Sequence, residues 1–139
     1  MYSSQLALLL LLPLFSLVAP LLLWPIELFL PYPYVIEELA KAVFVLFLLR
    51  INNKKNQIYM SILLGALFAL SETALYITNI LLSGNTQILF QRLVLTIPLH
   101  VLTLTLILIL GQKNKWLILL GLLISGLIHY YFNILVATI

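Results

Sequence analysis

Two adjacent carboxylates, Glu37 and Glu38, are followed one helical turn later by Lys41. A third carboxylate, Glu72, has Phe68 and Tyr76 four residues to either side, and two histidines stand further on, His100 and His129, the latter four residues before Asn133. These residue types suit the activation of water. A carboxylate accepts the proton of an attacking water, and histidine and asparagine donate hydrogen bonds to developing charge. Glu72, His100 and His129 also make a ligand set for a divalent metal such as zinc, three donors leaving one open position for water. The HExxH spacing of common zinc proteases is absent, and the chain has no cysteine, which excludes a thiolate metal site, a cysteine nucleophile and a disulfide framework.

Positioning these groups falls to a chain with very little polar surface. Of its 139 residues, 64% are hydrophobic and 8% charged, and the mean hydropathy is +1.20. A soluble domain is about 45–50% apolar and about 25% charged, so the chain is expected to be an integral membrane protein. Five apolar segments of spanning length are separated by turn-forming residues. They run Leu6 to Leu30, Tyr34 to Ile51, Gln57 to Leu82, Ile88 to Leu110 and Trp116 to Ala137. The expected fold is all-α, a polytopic bundle of about five transmembrane helices forming a single membrane domain over residues 1–139. Pro13, Pro20 and Pro25 predict kinks or a break in the first span near Ala19 to Pro25, and Pro98 a kink in the fourth. A cleaved signal peptide is disfavoured, because no base precedes the first apolar run.

Seven bases and four acids give a net charge of +3. That excess is too small and too scattered for a nucleic-acid partner. Arg50, Lys54 and Lys55 flank the second-to-third connection, and Lys113 and Lys115 the fourth-to-fifth, while Pro31 to Pro33 and Ser83 to Gln87 carry no base. The positive-inside rule therefore predicts a multi-pass protein of the cell membrane with a cytoplasmic amino terminus and an outside carboxyl terminus. Glu27 falls near the outer interface. Glu37, Glu38, Lys41, Glu72, Arg92, His100 and His129 then lie within spans, where each ionisable group costs several kcal/mol unless paired or beside a wet cavity.

Counting 1.5 Å per residue from each outer end puts Glu37 and Glu38 about 5 Å deep, His129 about 12 Å, Glu72 about 15 Å and His100 about 18 Å. Four helices thus present polar groups to one half of the bilayer, and the i, i+4 spacings of Glu37 and Lys41, of Phe68, Glu72 and Tyr76, and of His129 and Asn133 each define one face. Plainer readings exist for several members. Acids just after Pro33 gain from a positive helix end, His129 with Asn133 can serve as interhelical hydrogen-bond glue, Lys41 and Arg92 can neutralise buried glutamates, and Phe68 and Tyr76 can be packing residues. Glu72 at mid-depth has the weakest such alternative.

Taken in order, Glu37-Glu38-Leu39-Ala40-Lys41, Phe68 to Tyr76 around Glu72, Arg92 with Pro98 and His100, and His129 to Asn133 resemble the PrsW family of intramembrane proteases. That family's signature is EExxK, FxxxExxxY, an Arg-to-His helix and HxxxN, and it is related to the CAAX-processing and bacteriocin-processing membrane peptidases, whose second motif is FxxxH. Glu72 in that place favours the PrsW branch. The resemblance spans Glu37 to Asn133 and implies an endopeptidase acting on a membrane-anchored protein or peptide. It implies Glu37 or Glu38 as the general base, His129 and Asn133 as groups that orient water and stabilise the oxyanion, Glu72 and His100 as members of the same cluster, and Lys41, Arg92, Phe68 and Tyr76 as supporting residues. It leaves open whether a divalent metal, zinc for example, takes part. Two other classes compete: a proton-coupled carrier or channel, since intramembrane Glu and His also relay protons, and a regulatory membrane module of the same fold without chemistry.

Overall fold

The computed structural model describes residues 2–82 and 86–137, without the side chains of residues 2–4, 78–81, 86, 88, 89, 92 and 137. The regular structure described is entirely helical: α1 (Tyr2–Glu27), α2 (Pro33–Leu48), α3 (Lys54–Leu82), α4 (Thr86–Lys113) and α5 (Leu117–Ala137). Four of these carry segments long and apolar enough to cross a bilayer: Gln5–Glu27, Lys54–Ile77, Leu93–Lys113 and Leu117–Val136.

The exception is α2. Its 16 residues span about 24 Å at 1.5 Å each, short of a hydrocarbon core of about 30 Å. Five full-length spans were expected; the second ends at Leu48 rather than Ile51, because Arg50 and Ile51 close a turn onto Phe47 and Leu48. Pro33 occupies the first turn of α2, where a missing N–H costs nothing and the fixed φ favours helix.

The proline-rich first span is helical without a break through Pro13 and Pro20, ending two residues after Pro25. The sequence expectation of a break is therefore not met. In a membrane, neighbouring helices and hydroxyls can satisfy backbone groups that proline releases, and on this stretch the Ser16 hydroxyl donates 2.6 Å to the Leu64 carbonyl of α3. Helix α4 likewise continues through Pro98. It also runs three residues past its expected end, held by Gln112 Nε2 donating 2.8 Å to Gln57 Oε1 of α3. Helix α3 begins earlier than expected, at Lys54, where the Asn53 side chain accepts the Lys55 N–H at 2.9 Å, an N-terminal cap.

Helices α3 and α4 form the most extensive pair, α1 packs on α3, α5 packs on α4, and α2 lies against all four. Gly65 makes the central pair close: a Cβ there would fall 2.7 Å from Val101 Cα and 2.8 Å from the His100 carbonyl oxygen. Small residues permit such backbone approach between membrane helices. The buried apolar core, including Val45, Leu48, Leu64, Phe68, Leu104 and Ile107, occupies the half of the bundle next to the α2–α3 turn. Leucines and other large apolar side chains cover the outside of α1 and α5, as lipid-facing surfaces must. Toward the end carrying the α1–α2 connection, the interior becomes polar.

Candidate active site

The polar interior begins one turn above the apolar core on every helix that contributes to it. On α2, Glu37, Glu38 and Lys41 are buried on the same face as Ala42, Val45 and Leu48. No acid lies in the first turn of α2, so the two glutamates are interior groups rather than partners of the helix end. On α3, Glu72 follows Phe68 by one turn; on α4, His100 and Thr103 are fully buried beside Leu104; on α5, His129 is buried one turn beyond Ser125.

Glu38 is the hub. Its Oε1 accepts a hydrogen bond from Lys41 Nζ at 2.6 Å and lies 2.8 Å from His129 Nδ1. Lys41, with no exposed surface, also donates to Thr103 Oγ1 at 2.9 Å and stands 5.6 Å from the centre of the Phe68 ring. The lysine thus neutralises a buried glutamate. Glu37 reaches the other side of the same imidazole, with Oε2 3.7 Å from His129 Nε2. Glu72 Oε2 lies 2.6 Å from His100 Nε2, yet the approach is not along a hydrogen-bonding direction, and both atoms are buried without a hydrogen-bond partner. His100 stacks on Phe68 at 5.1 Å and meets the edge of His129 at 5.4 Å.

Donor atoms of Glu37, His100 and His129 lie within 4.8 Å of one another, the one such group of three found among the described residues. The ligand set read from the sequence had Glu72 where the structure has Glu37; Glu72 is instead turned onto His100. Counting residues assumes that the outer ends of the helices are level with one another, whereas in the bundle Glu37 Oε2 lies 3.7 Å from His129 Nε2. Three features suit a divalent cation: Glu37 Oε2 and both His100 nitrogens are buried without hydrogen-bond partners, the donors form a two-histidine, one-carboxylate set of the kind that holds catalytic zinc, and His129 has a further carboxylate, Glu38, 2.8 Å from its Nδ1, as ligating histidines usually do.

Asn133, Tyr76 and Arg92 are the remaining anticipated members. Asn133, one turn beyond His129, is exposed. Tyr76 is half-buried one turn beyond Glu72. The Arg92 side chain lies outside the described residues. Sequence reasoning missed Thr103, whose signal was its position one turn after His100 on the same helix face. It also missed Tyr34, whose ring lies 5.9 Å from that of His129, and it set aside Glu27, which is near enough to interact electrostatically with Glu72.

Neither a curated protein nor a solved structure matches the chain. The model of the PrsW family of intramembrane metalloproteases matches residues 26–139, from the end of α1 through α5 and therefore every helix that builds the cluster. The chain belongs to the PrsW family of intramembrane metalloproteases.

Proposed function

We propose that this membrane protein hydrolyses a peptide bond of a membrane-anchored protein at the cluster of Glu37, Glu38, Glu72, His100 and His129. The observation that supports this most strongly is the convergence of these groups, all buried but the half-buried Glu72, from four helices, with Glu37 Oε2 left unpartnered beside a pair of histidines. We assign the proton acceptor to Glu37 rather than Glu38, because Glu38 Oε1 is already held by Lys41 and His129.

In this reading water sits between Glu37 and His129. As the water oxygen attacks the carbonyl carbon, Glu37 takes its proton. The carbonyl oxygen gains charge and is stabilised by donors on His100 and His129, fixed dipoles in a dry site being worth far more than in water. When the C–N bond breaks, Glu37 returns the proton to the leaving amine. Glu38 holds His129 in one orientation, with Lys41 balancing its charge, and Glu72 sets a second carboxylate 2.6 Å from His100 Nε2. Glu37, His100 and His129 are also the residues that would hold a divalent cation; with one bound, their ligating atoms would be occupied, and the cation would supply Lewis acidity to the water and carbonyl in place of those imidazole donors. The lysine- and arginine-bearing connections α2–α3 and α4–α5 lie at the opposite end of the bundle, so the positive-inside rule puts the cluster in the outer half of the bilayer.

The test is cleavage of a membrane-anchored reporter by protein reconstituted in liposomes. Glu37→Gln, His100→Ala and His129→Ala are each expected to lower the rate at least about 100-fold, the scale of a lost base or oxyanion donor, while the helical content remains. Wild-type rates in all three folded variants would overturn the proposal.

A further inference from the structure

Three of the four glycines in the described residues are packed by a neighbour: a Cβ at Gly65 would meet Val101 Cα at 2.7 Å, at Gly111 Ile118 Cγ1 at 2.9 Å, and at Gly121 Ile107 Cα at 3.0 Å. Each lets two parts of the bundle touch. Gly126 differs, since a Cβ there would meet nothing within 4 Å. It lines a groove of about 860 Å³ between α2 and α5, walled by Val35, Leu39, Leu123 and Leu127, with Glu38 among its lining residues. Tyr34 and Tyr130 also line it, their rings 6.0 Å apart.

The groove therefore joins the lipid-facing surface to the reactive cluster. Gly126 lies on α5 one turn before His129, and Glu38, which holds His129 at 2.8 Å, lines the groove itself. An acyl chain would satisfy the leucines but offers no donor to Glu38, whose Oε2 is buried without a hydrogen-bond partner. An extended peptide offers both an apolar side chain and a backbone N–H. The space at Gly126 is wide enough for a side chain larger than alanine.

We propose that this groove receives the apolar membrane segment of the substrate in extended form, seating a large apolar side chain adjacent to the scissile bond against Gly126, which thereby sets the size of side chain accepted. The proposal rests on the peptidase reading above. It makes Gly126 a specificity-determining residue, and an α2–α5 opening the route by which the substrate leaves lipid for the cluster.

Two reporters test it, identical except for leucine or alanine at the residue beside the mapped cut. Gly126→Leu is expected to lower kcat/KM for the leucine reporter about tenfold or more, the range a pocket of fitted size supports, and to leave the alanine reporter within about twofold, with the thermal midpoint unchanged because the new side chain enters open space. Equal losses on both reporters, or none on either, overturn the assignment, as does a rate that follows lipid acyl length instead of reporter side chain. A readout independent of turnover uses the absence of native cysteine. In the Glu37→Gln background, Gly126→Cys is expected to form a disulfide with a reporter carrying one cysteine beside the cut, and Leu135→Cys, on the other side of α5, is not. Cross-linking at Gly126 without any cleavage by the otherwise wild-type protein would contradict the peptidase reading and support the groove; cleavage without cross-linking would do the reverse.

Discussion

Lys41 shows most clearly how a charged residue is tolerated inside this bundle. Its ammonium is fully buried, yet it has a carboxylate at 2.6 Å, a hydroxyl at 2.9 Å and an aromatic face at 5.6 Å. Removing one partner of a buried pair leaves the other charge stranded, whereas removing both can be nearly neutral. Lys41→Met is therefore expected to destabilise the protein by about 3–5 kcal/mol, measured as a loss of thermal or denaturant stability in detergent micelles. The double variant Glu38→Gln with Lys41→Met is expected to recover more than half of that loss while remaining inactive, because the glutamine no longer holds His129 as a carboxylate does. Additive losses would show that the pair is not the unit described here. At this scale the sequence was informative about which residues matter, since ionisable groups in apolar spans stand out by type alone. It was a poor guide to pairing. The i, i+4 spacing puts Glu37 with Lys41, yet the structure pairs Lys41 with Glu38 three residues before it; residues three and four apart both lie near one face, and only the packed neighbours decide which glutamate meets Lys41 and which stays open.

Among the elements, α2 is the shortest and the one every other helix touches. The α3–α4 pair behind it fixes His100, and that pair depends on Gly65. Gly65→Ala would bring a methyl to 2.8 Å from the His100 carbonyl oxygen, with backbone on both sides and no flexible side chain to yield. Overpacking of this kind costs about 1–3 kcal/mol. Because the atoms met are the His100 carbonyl oxygen and the backbone N and Cα of the next residue, Val101, the shift would move the peptide that carries His100, and the cleavage rate is expected to fall much further than stability. Gly121→Ala, against Ile107 in the apolar half at 3.0 Å, serves as the control: some loss of stability, little loss of activity. Comparable loss of activity in both variants would remove Gly65 from any special relation to the site. The helices themselves were legible within a few residues from apolar runs and turn residues. The proline break was not, because propensity rules for proline assume water as the competitor, and a membrane bundle stabilises continuous helix more strongly.

The whole molecule divides into two halves by polarity. An apolar core fills the end near the α2–α3 turn, and the clustered glutamates and histidines fill the end near the α1–α2 connection, at one level of the bundle rather than along a path through it. A proton relay across the bilayer would need titratable groups in both halves. Among the described residues, the polar side-chain contacts between helices of the apolar half join amides and hydroxyls, such as Gln57 with Gln112 and Ser61 with Thr105. The central claim is that this one-sided cluster cuts a membrane-anchored chain. It is tested most directly by reconstituting the protein with a single-span reporter and mapping the new termini by mass spectrometry. The account predicts one cut, in the outer half of the reporter's apolar segment, made by the wild-type protein and absent with Glu37→Gln. An intact reporter with the wild-type protein, or an unchanged cut with Glu37→Gln, would contradict it.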